Sequence, residues 1–175
     1  MSKQKKICLF LDLLGIGLLI AVDQFTKYQA VLKLKDKPAY IIWDGVLELN
    51  YLENKGAAFG MLQNQKIFFI FVAIVILSVI AYILFKTPDQ KKYRALHILL
   101  SLIAAGAIGN MIDRIRFDYV VDFIYIVLIN FPIFNVADIY VTFATAILVI
   151  MLLVVYKEQD LSFISFKQKK YREIK

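Results

Sequence analysis

The chain has 175 residues, a formal charge of +7 and a composition that is 61% hydrophobic, with a mean hydropathy of +0.68. Soluble domains of this size sit nearer half apolar, so the excess argues against a water-soluble domain and for the bilayer. A single cysteine and a single histidine exclude a disulfide framework and a thiolate metal cluster, and the sequence contains no HExxH zinc motif.

The apolar residues fall in runs. Residues 7–22 are interrupted only by Asp12, and residues 67–85, 95–112 and 139–156 carry no formal charge. A helix rising ~1.5 Å per residue needs about 20 residues to cross ~30 Å of hydrocarbon. Four membrane-spanning helices are predicted, at about 7–28, 66–86, 94–115 and 135–157. The first is preceded by Lys3, Lys5 and Lys6, as a signal peptide would be. It holds Asp12, ends in Asp23 and Lys27, and lacks a small-x-small cleavage pattern, so it is read as a retained span.

Two longer connections, 29–65 and 116–134, lie at one end of this up-down layout. In the first, "YIIWDGVLELNYLEN" mixes β-branched and aromatic residues around an Asp44-Gly45 turn signal, which predicts a small β-ribbon. "NKGAAFG" follows, small enough for close backbone approach. The second, "YVVDFIYIVLINFPIFNVAD", is too apolar for a solvated loop and is broken by Pro132. It is read as an interfacial segment lining a protein cavity. With no repeats or low-complexity linker, residues 1–175 are read as one domain.

Thirteen of the 21 Lys and Arg sit in the N-terminal tail, the 86–94 loop and the tail from Lys157 onward. These segments alternate to one side, which the positive-inside rule makes cytoplasmic. The basic tail fits anionic lipid better than nucleic acid. His97, at the cytoplasmic start of the third helix, is read as an interfacial side chain. Asp12 is read as a buried hydrogen-bonding group with no assigned role.

The polar residues converge on the opposite, outer face: Asp23, Lys27, Asn54, Asn110, Asp113, Arg114, Asp122, Asn135 and Asp138. Such groups at the ends of apolar helices are functional candidates. Asn110, Asp113 and Arg114 share a helical face at i, i+3 and i+4, and Gly106 with Gly109 is read as helix packing. Asp113, beside Arg114, suits an ion-pair brace better than a general acid. Asp118 sits in a polar turn and is expected to face solvent. Asp122 in "VVDF" and Asp138 in "NVADI" lie in apolar frames, where two carboxylates brought together share a proton and divide the base and acid roles. From the residues alone, a pair of separately braced interfacial carboxylates stands beside this dyad. A transporter would place its carboxylates near the midplane with repeat symmetry. An assembly factor would tolerate Asp→Asn at both positions.

"DQFTK" (23–27), "NKGAAFG" (54–60), "GAIGNMIDR" (106–114), "VVDF" (120–123) and "FNVAD" (134–138) occur in register. The chain thereby resembles the lipoprotein signal peptidases, type II signal peptidases of bacterial membranes. The resemblance implies an aspartyl endopeptidase that removes the signal peptide of diacylglyceryl-modified prolipoproteins, just before the lipidated cysteine. It implies Asp122 and Asp138 as the catalytic pair. Asn54, Asn110, Arg114 and Asn135 would hold the substrate or orient the pair, with Asp23, Lys27, Gly56, Asp113 and Ala137 in support. It further implies no metal or organic cofactor, sensitivity to globomycin, and a monomer in the bacterial cell membrane with both termini cytoplasmic. The ribbon would be the family's cradle, and 116–134 its flap. Two positions depart: Lys55 replaces the usual Thr and Ile139 the usual Ser. The fold expected is thus an all-α four-helix membrane bundle with a small extracytoplasmic β-ribbon and an interfacial flap.

Overall fold

A computed structural model describes residues 1–56 and 61–164. The four predicted spans are helices: α1 Lys3–Leu34, α2 Lys66–Lys86, α3 Arg94–Phe117 and α4 Val136–Ile150, the last continued by a π-helical turn over Met151–Val155. Strands β1 Tyr40–Trp43, β2 Leu47–Asn54 and β3 Val120–Ile126 form an antiparallel sheet in the order β1-β2-β3. Half of the most apolar window of α3 is buried, against 6% in α1 and α4 and 11% in α2. The third helix is therefore the central one, and the other three turn apolar flanks outward, as lipid-facing helices do.

α1 is longer than expected, running to Leu34 and not to about residue 28. Asp23 and Lys27, which read as stop signals, neutralise each other inside the protein at 3.0 Å. The helix therefore continues until Lys33 and Lys35. Its last turns supply Ala30 and Leu34 to a small core with Val121 and Phe123 of β3. A larger core at the basic end joins Ile80, Leu84, Tyr93, Leu96, Leu100 and Tyr156.

The predicted ribbon exists, with Gly45 at φ 68° in its turn, a conformation open to glycine. The second external segment begins as a strand. α3 stops at Asp118, in the left-handed region at φ 67°, and the chain then enters β3 as the third strand of the sheet. Its apolar residues are apolar because Val120, Val121 and Phe123 are buried. The pairing steps from Leu49↔Ile124 to Leu52↔Asp122, so β2 carries one extra residue, a bulge beside Asp122. Beyond β3, Phe134 returns to the strand: its carbonyl accepts the Phe123 and Ile124 N–H groups at 3.0 and 2.8 Å, and its N–H donates to Ile124 O at 3.0 Å.

His97 is not interfacial. It is 5% exposed, and its Nδ1 lies 2.6 Å from Asp12 Oδ2, giving Asp12 its buried partner. Asp118 is exposed as expected and meets Lys66 at 2.6 Å. Residues 57–60, within "NKGAAFG", and the basic tail over 165–175 lie outside the described residues.

Candidate active site

Asp122 comes from β3 and Asp138 from the first turn of α4. α4 begins with a capping box. Asn135 Oδ1 accepts the Asp138 N–H at 3.0 Å, and Asp138 Oδ2 accepts the Asn135 N–H at 3.1 Å. Two orphan donors of the helix start are thereby satisfied.

Three asparagines hold the two carboxylates. Asn54 Nδ2 donates to Asp122 Oδ2 at 2.8 Å, and Asn135 Nδ2 donates to Asp122 Oδ1 at 2.6 Å. Asn110 Nδ2 donates to Asp138 Oδ1 at 2.7 Å, while its own Oδ1 accepts from Asn135 Nδ2 at 3.2 Å. Every carboxylate oxygen accepts one protein hydrogen bond and keeps a lone pair for water or substrate. Asp122 is 1% exposed. Burial, and then the neighbouring charge of Asp138, push its carboxyl up to about 7, against the donors Asn54 and Asn135.

Both carboxylates line a cavity of ≈ 230 Å³ together with Asn54, Gly56, Asn110 and Arg114, and its opposite wall is Phe131–Phe134. This stretch is the part of the second external segment that borders the site, as the sequence reading expected of a cavity-lining segment. The Arg114 guanidinium lies 4.4 Å from the Phe69 ring centroid. It donates to Gly56 O at 3.2 Å and to Asn110 O at 3.4 Å.

Behind the cavity lies a buried ionic layer. Lys27 Nζ bridges Asp23 and Asp113, 3.0 Å from each, and donates to Asn110 Oδ1 at 2.8 Å. The partner of Asp113 is therefore Lys27 on another helix and not Arg114, its neighbour in sequence. Adjacent helical residues point about 100° apart, which sends Asp113 inward and Arg114 to the cavity. Asp113 Oδ2 also accepts the Val121 N–H at 3.1 Å, fixing the start of β3 one residue before Asp122. Asp23 Oδ1 accepts the Ala137 N–H at 2.9 Å, fixing α4 one residue before Asp138. Each bracing carboxylate thus holds the backbone next to one member of the pair.

The supporting small residues have spatial reasons. A Cβ on Gly106 would stand 2.5 Å from Ala137 O, and one on Gly109 2.5 Å from Asp23 Oδ2. A Cβ on Gly56 would meet Met61 O at 2.5 Å. Ala137 is wholly buried where α4 passes α3. The sequence reading missed Gln24, whose Nε2 donates to Asp113 Oδ1 at 2.9 Å and to Gly109 O at 3.2 Å. An amide between two charges in a predicted span was its signal. Phe69 and Thr142 had none, being apolar or neutral residues among many.

Four membrane-length helices with two amide-held carboxylates at one end, Asp122 buried and Asp138 half-buried, form a scaffold suited to a membrane hydrolase of the aspartyl type. Residues 16–154 match the family described as signal peptidase (SPase) II, and the chain belongs to that family. It is 42% identical over 134 residues to a lipoprotein signal peptidase of Caldanaerobacter subterraneus subsp. tengcongensis, covering 76% of this chain and 89% of that one. A lipoprotein signal peptidase of Streptococcus pyogenes serotype M5 is 39% identical over 150 residues, covering 86% and 95%. A bacterial membrane enzyme solved by the in meso method at 2.3 Å resolution superposes with a TM-score of 0.71 at 31% identity, over 94% of each chain. The protein is an aspartic-type signal peptidase of a bacterial membrane.

Proposed function

We propose that this peptidase removes the signal peptide from diacylglyceryl-modified prolipoproteins, cutting immediately before the lipidated cysteine, with Asp122 and Asp138 as its catalytic pair. The observation that carries the reading is the meeting of these two carboxylates, from a strand and a helix start, around three asparagines in one cavity. The similarity to lipoprotein signal peptidases supports the substrate class.

The pair shares one proton and titrates as a unit. The ionised carboxylate takes a proton from water, which attacks the scissile carbonyl. The protonated one gives its proton to the carbonyl oxygen, forming a gem-diol. As the C–N bond breaks, the carboxyl that took the water proton passes it to the leaving amine, and the other regains a proton from a diol hydroxyl. Asn54, Asn110 and Asn135 hold the pair, and Arg114 has N–H donors left for a substrate carbonyl. The lipid chains of the substrate stay in the bilayer while its backbone enters the cavity sideways. The excess of basic residues at the far end of the helices supports an orientation with that end and both termini in the cytoplasm and the site at the outer face. One chain, residues 1–175 as a single domain, suffices for the reaction, and globomycin is expected to inhibit it.

The test uses a diacylated prolipoprotein in detergent or liposomes, followed by gel shift with and without globomycin. Asp122→Asn and Asp138→Asn each abolish processing. Near-normal turnover in either variant overturns the assignment.

A further inference from the structure

At the end of the bundle away from the catalytic pair, a second group of chemically reactive side chains comes together. Cys8 and Asp12 stand one turn apart on α1, and His97 meets them from α3. His97 Nδ1 is 2.6 Å from Asp12 Oδ2 and 3.6 Å from Cys8 Sγ, and the three donor atoms lie within 4.8 Å of one another. A cleft of ≈ 520 Å³ opens against all three.

A nucleophilic triad does not account for this geometry. In a triad the nucleophile and the carboxylate engage opposite nitrogens of the imidazole, whereas here both engage Nδ1. A hydrogen-bonded Asp–His pair accounts for two of the groups, and the sulfur brings a third contact to the same nitrogen at 3.6 Å. Three lone-pair atoms of different chemistry converging on one point is what coordination requires.

We propose that Cys8, Asp12 and His97 form a mononuclear site for a divalent metal of borderline softness, zinc, with its fourth position open to the cleft. Zinc holds sulfur at about 2.3 Å and imidazole nitrogen at about 2.0 Å, and at a tetrahedral angle this places the two atoms about 3.5 Å apart. The observed separation is 3.6 Å. Asp12 must swing outward by less than about 1 Å to admit the ion between itself and Nδ1. Calcium and magnesium are unsuited, because they take six or more oxygen ligands and this group offers one carboxylate. A mixed sulfur, nitrogen and oxygen set suits zinc.

Binding displaces the thiol proton to solvent and takes the neutral His97 tautomer whose proton sits on Nε2, leaving a thiolate and a carboxylate to neutralise the ion. Lys5, which also borders the cleft, already donates to Leu84 O at 2.6 Å and Thr87 O at 2.5 Å. The ion ties α1 to α3. It stands about 20 Å along α3 from Asn110 at ~1.5 Å per residue, so it takes no part in peptide cleavage.

The test is a titration of the full chain in detergent, stripped by a chelator, with Co²⁺ alone. The wild type is expected to bind one Co²⁺ with a thiolate-to-cobalt charge-transfer absorption that Zn²⁺ displaces, and Zn²⁺ is expected to raise its Tm. Cys8→Ser is expected to lose that band, the Tm response and more than the roughly tenfold in affinity that an outer-shell change costs. It keeps full peptidase activity, and Asp122→Asn titrates like wild type. No saturable spectral change in the wild type, or an unchanged titration in Cys8→Ser, overturns the proposal. Cys8 is half-buried and its serine replacement nearly isosteric, so this variant decides the matter even where His97→Ala does not fold.

Discussion

Asn135 and Asp138 cap each other: the Asn135 side chain accepts the Asp138 N–H at 3.0 Å, and the Asp138 side chain accepts the Asn135 N–H at 3.1 Å. The carboxylate proposed for catalysis is therefore also the third residue of a helix start, and its position is set by the fold of one turn. The Asn135 amide then reaches on to Asp122 at 2.6 Å.

Capping and catalysis separate at Asn135. Serine keeps the cap acceptor and loses the amide donor to Asp122. Asn135→Ser is expected to lie within about 1 kcal/mol of wild-type stability, while Asn135→Ala loses roughly 1–2 kcal/mol. Both are expected to lose roughly 10–100-fold in kcat, the equivalent of a hydrogen bond to a charged group. Thermal unfolding and kcat measured on both variants decide, and a fully active Asn135→Ser sinks the orienting role.

Lys27 is 3% exposed and neutralises two carboxylates that are themselves buried. Lys27→Met leaves Asp23 and Asp113 uncompensated and is expected to cost about 3–5 kcal/mol, seen as low yield or a depressed Tm. Asp113→Asn leaves the Lys27–Asp23 pair in place and is expected to cost less, with residual activity in the folded fraction. A well-folded but wholly inactive Asp113→Asn would contradict the bracing role.

Gly106 tests how closely α4 must approach α3. A Cβ there would meet Ala137 O at 2.5 Å and Val141 Cγ2 at 2.6 Å, so Gly106→Ala displaces the first turn of α4 with Asp138 on it. A loss of about 1–3 kcal/mol is expected from overpacking, together with a fall in kcat. Gly15→Ala and Gly17→Ala, with nothing within 4 Å of the added Cβ, serve as controls and are expected to be neutral or stabilising. Equal behaviour of the three variants in a Tm series would rule out the close-approach account.

The titration of Asp122 gives the pH dependence a sign. Its folded carboxyl is pushed up to about 7 from an ordinary 3.8, so between these values the folded state holds more protons than the unfolded one. Its contribution to stability is therefore fully present below about pH 4, declines as pH rises to about 7, and changes little beyond. The Tm of wild type should show this decline, and Asp122→Asn should flatten it. The doubly ionised pair lacks the proton for the substrate carbonyl oxygen, so kcat/KM is expected to fall on the alkaline side of about 7. A profile rising steadily to pH 9 would contradict the shared proton.

The four spans, the ribbon and the polar end were legible because each depends on composition over a window of residues. Asp122 and Asp138 were legible for a related reason: an ionisable group in an apolar frame has few explanations. Pairing was not legible. Adjacency suggested Arg114 as the partner of Asp113, but helical rotation separates neighbours and brings Lys27 from α1 instead. The third strand was hidden because a segment buried on one sheet edge reads simply as apolar. The end of α1 was hidden because Asp23 and Lys27 cancel each other only in three dimensions.

The return of Phe134 to β3 closes residues 122–138 into a pinned loop that carries both acids. Asp113 on α3 and Asp23 on α1 hold the backbone beside each acid from outside that loop. In a bilayer thinner or thicker than the protein's own apolar width, helices adjust by tilting. The loop then limits how far such a tilt can draw the two acids apart.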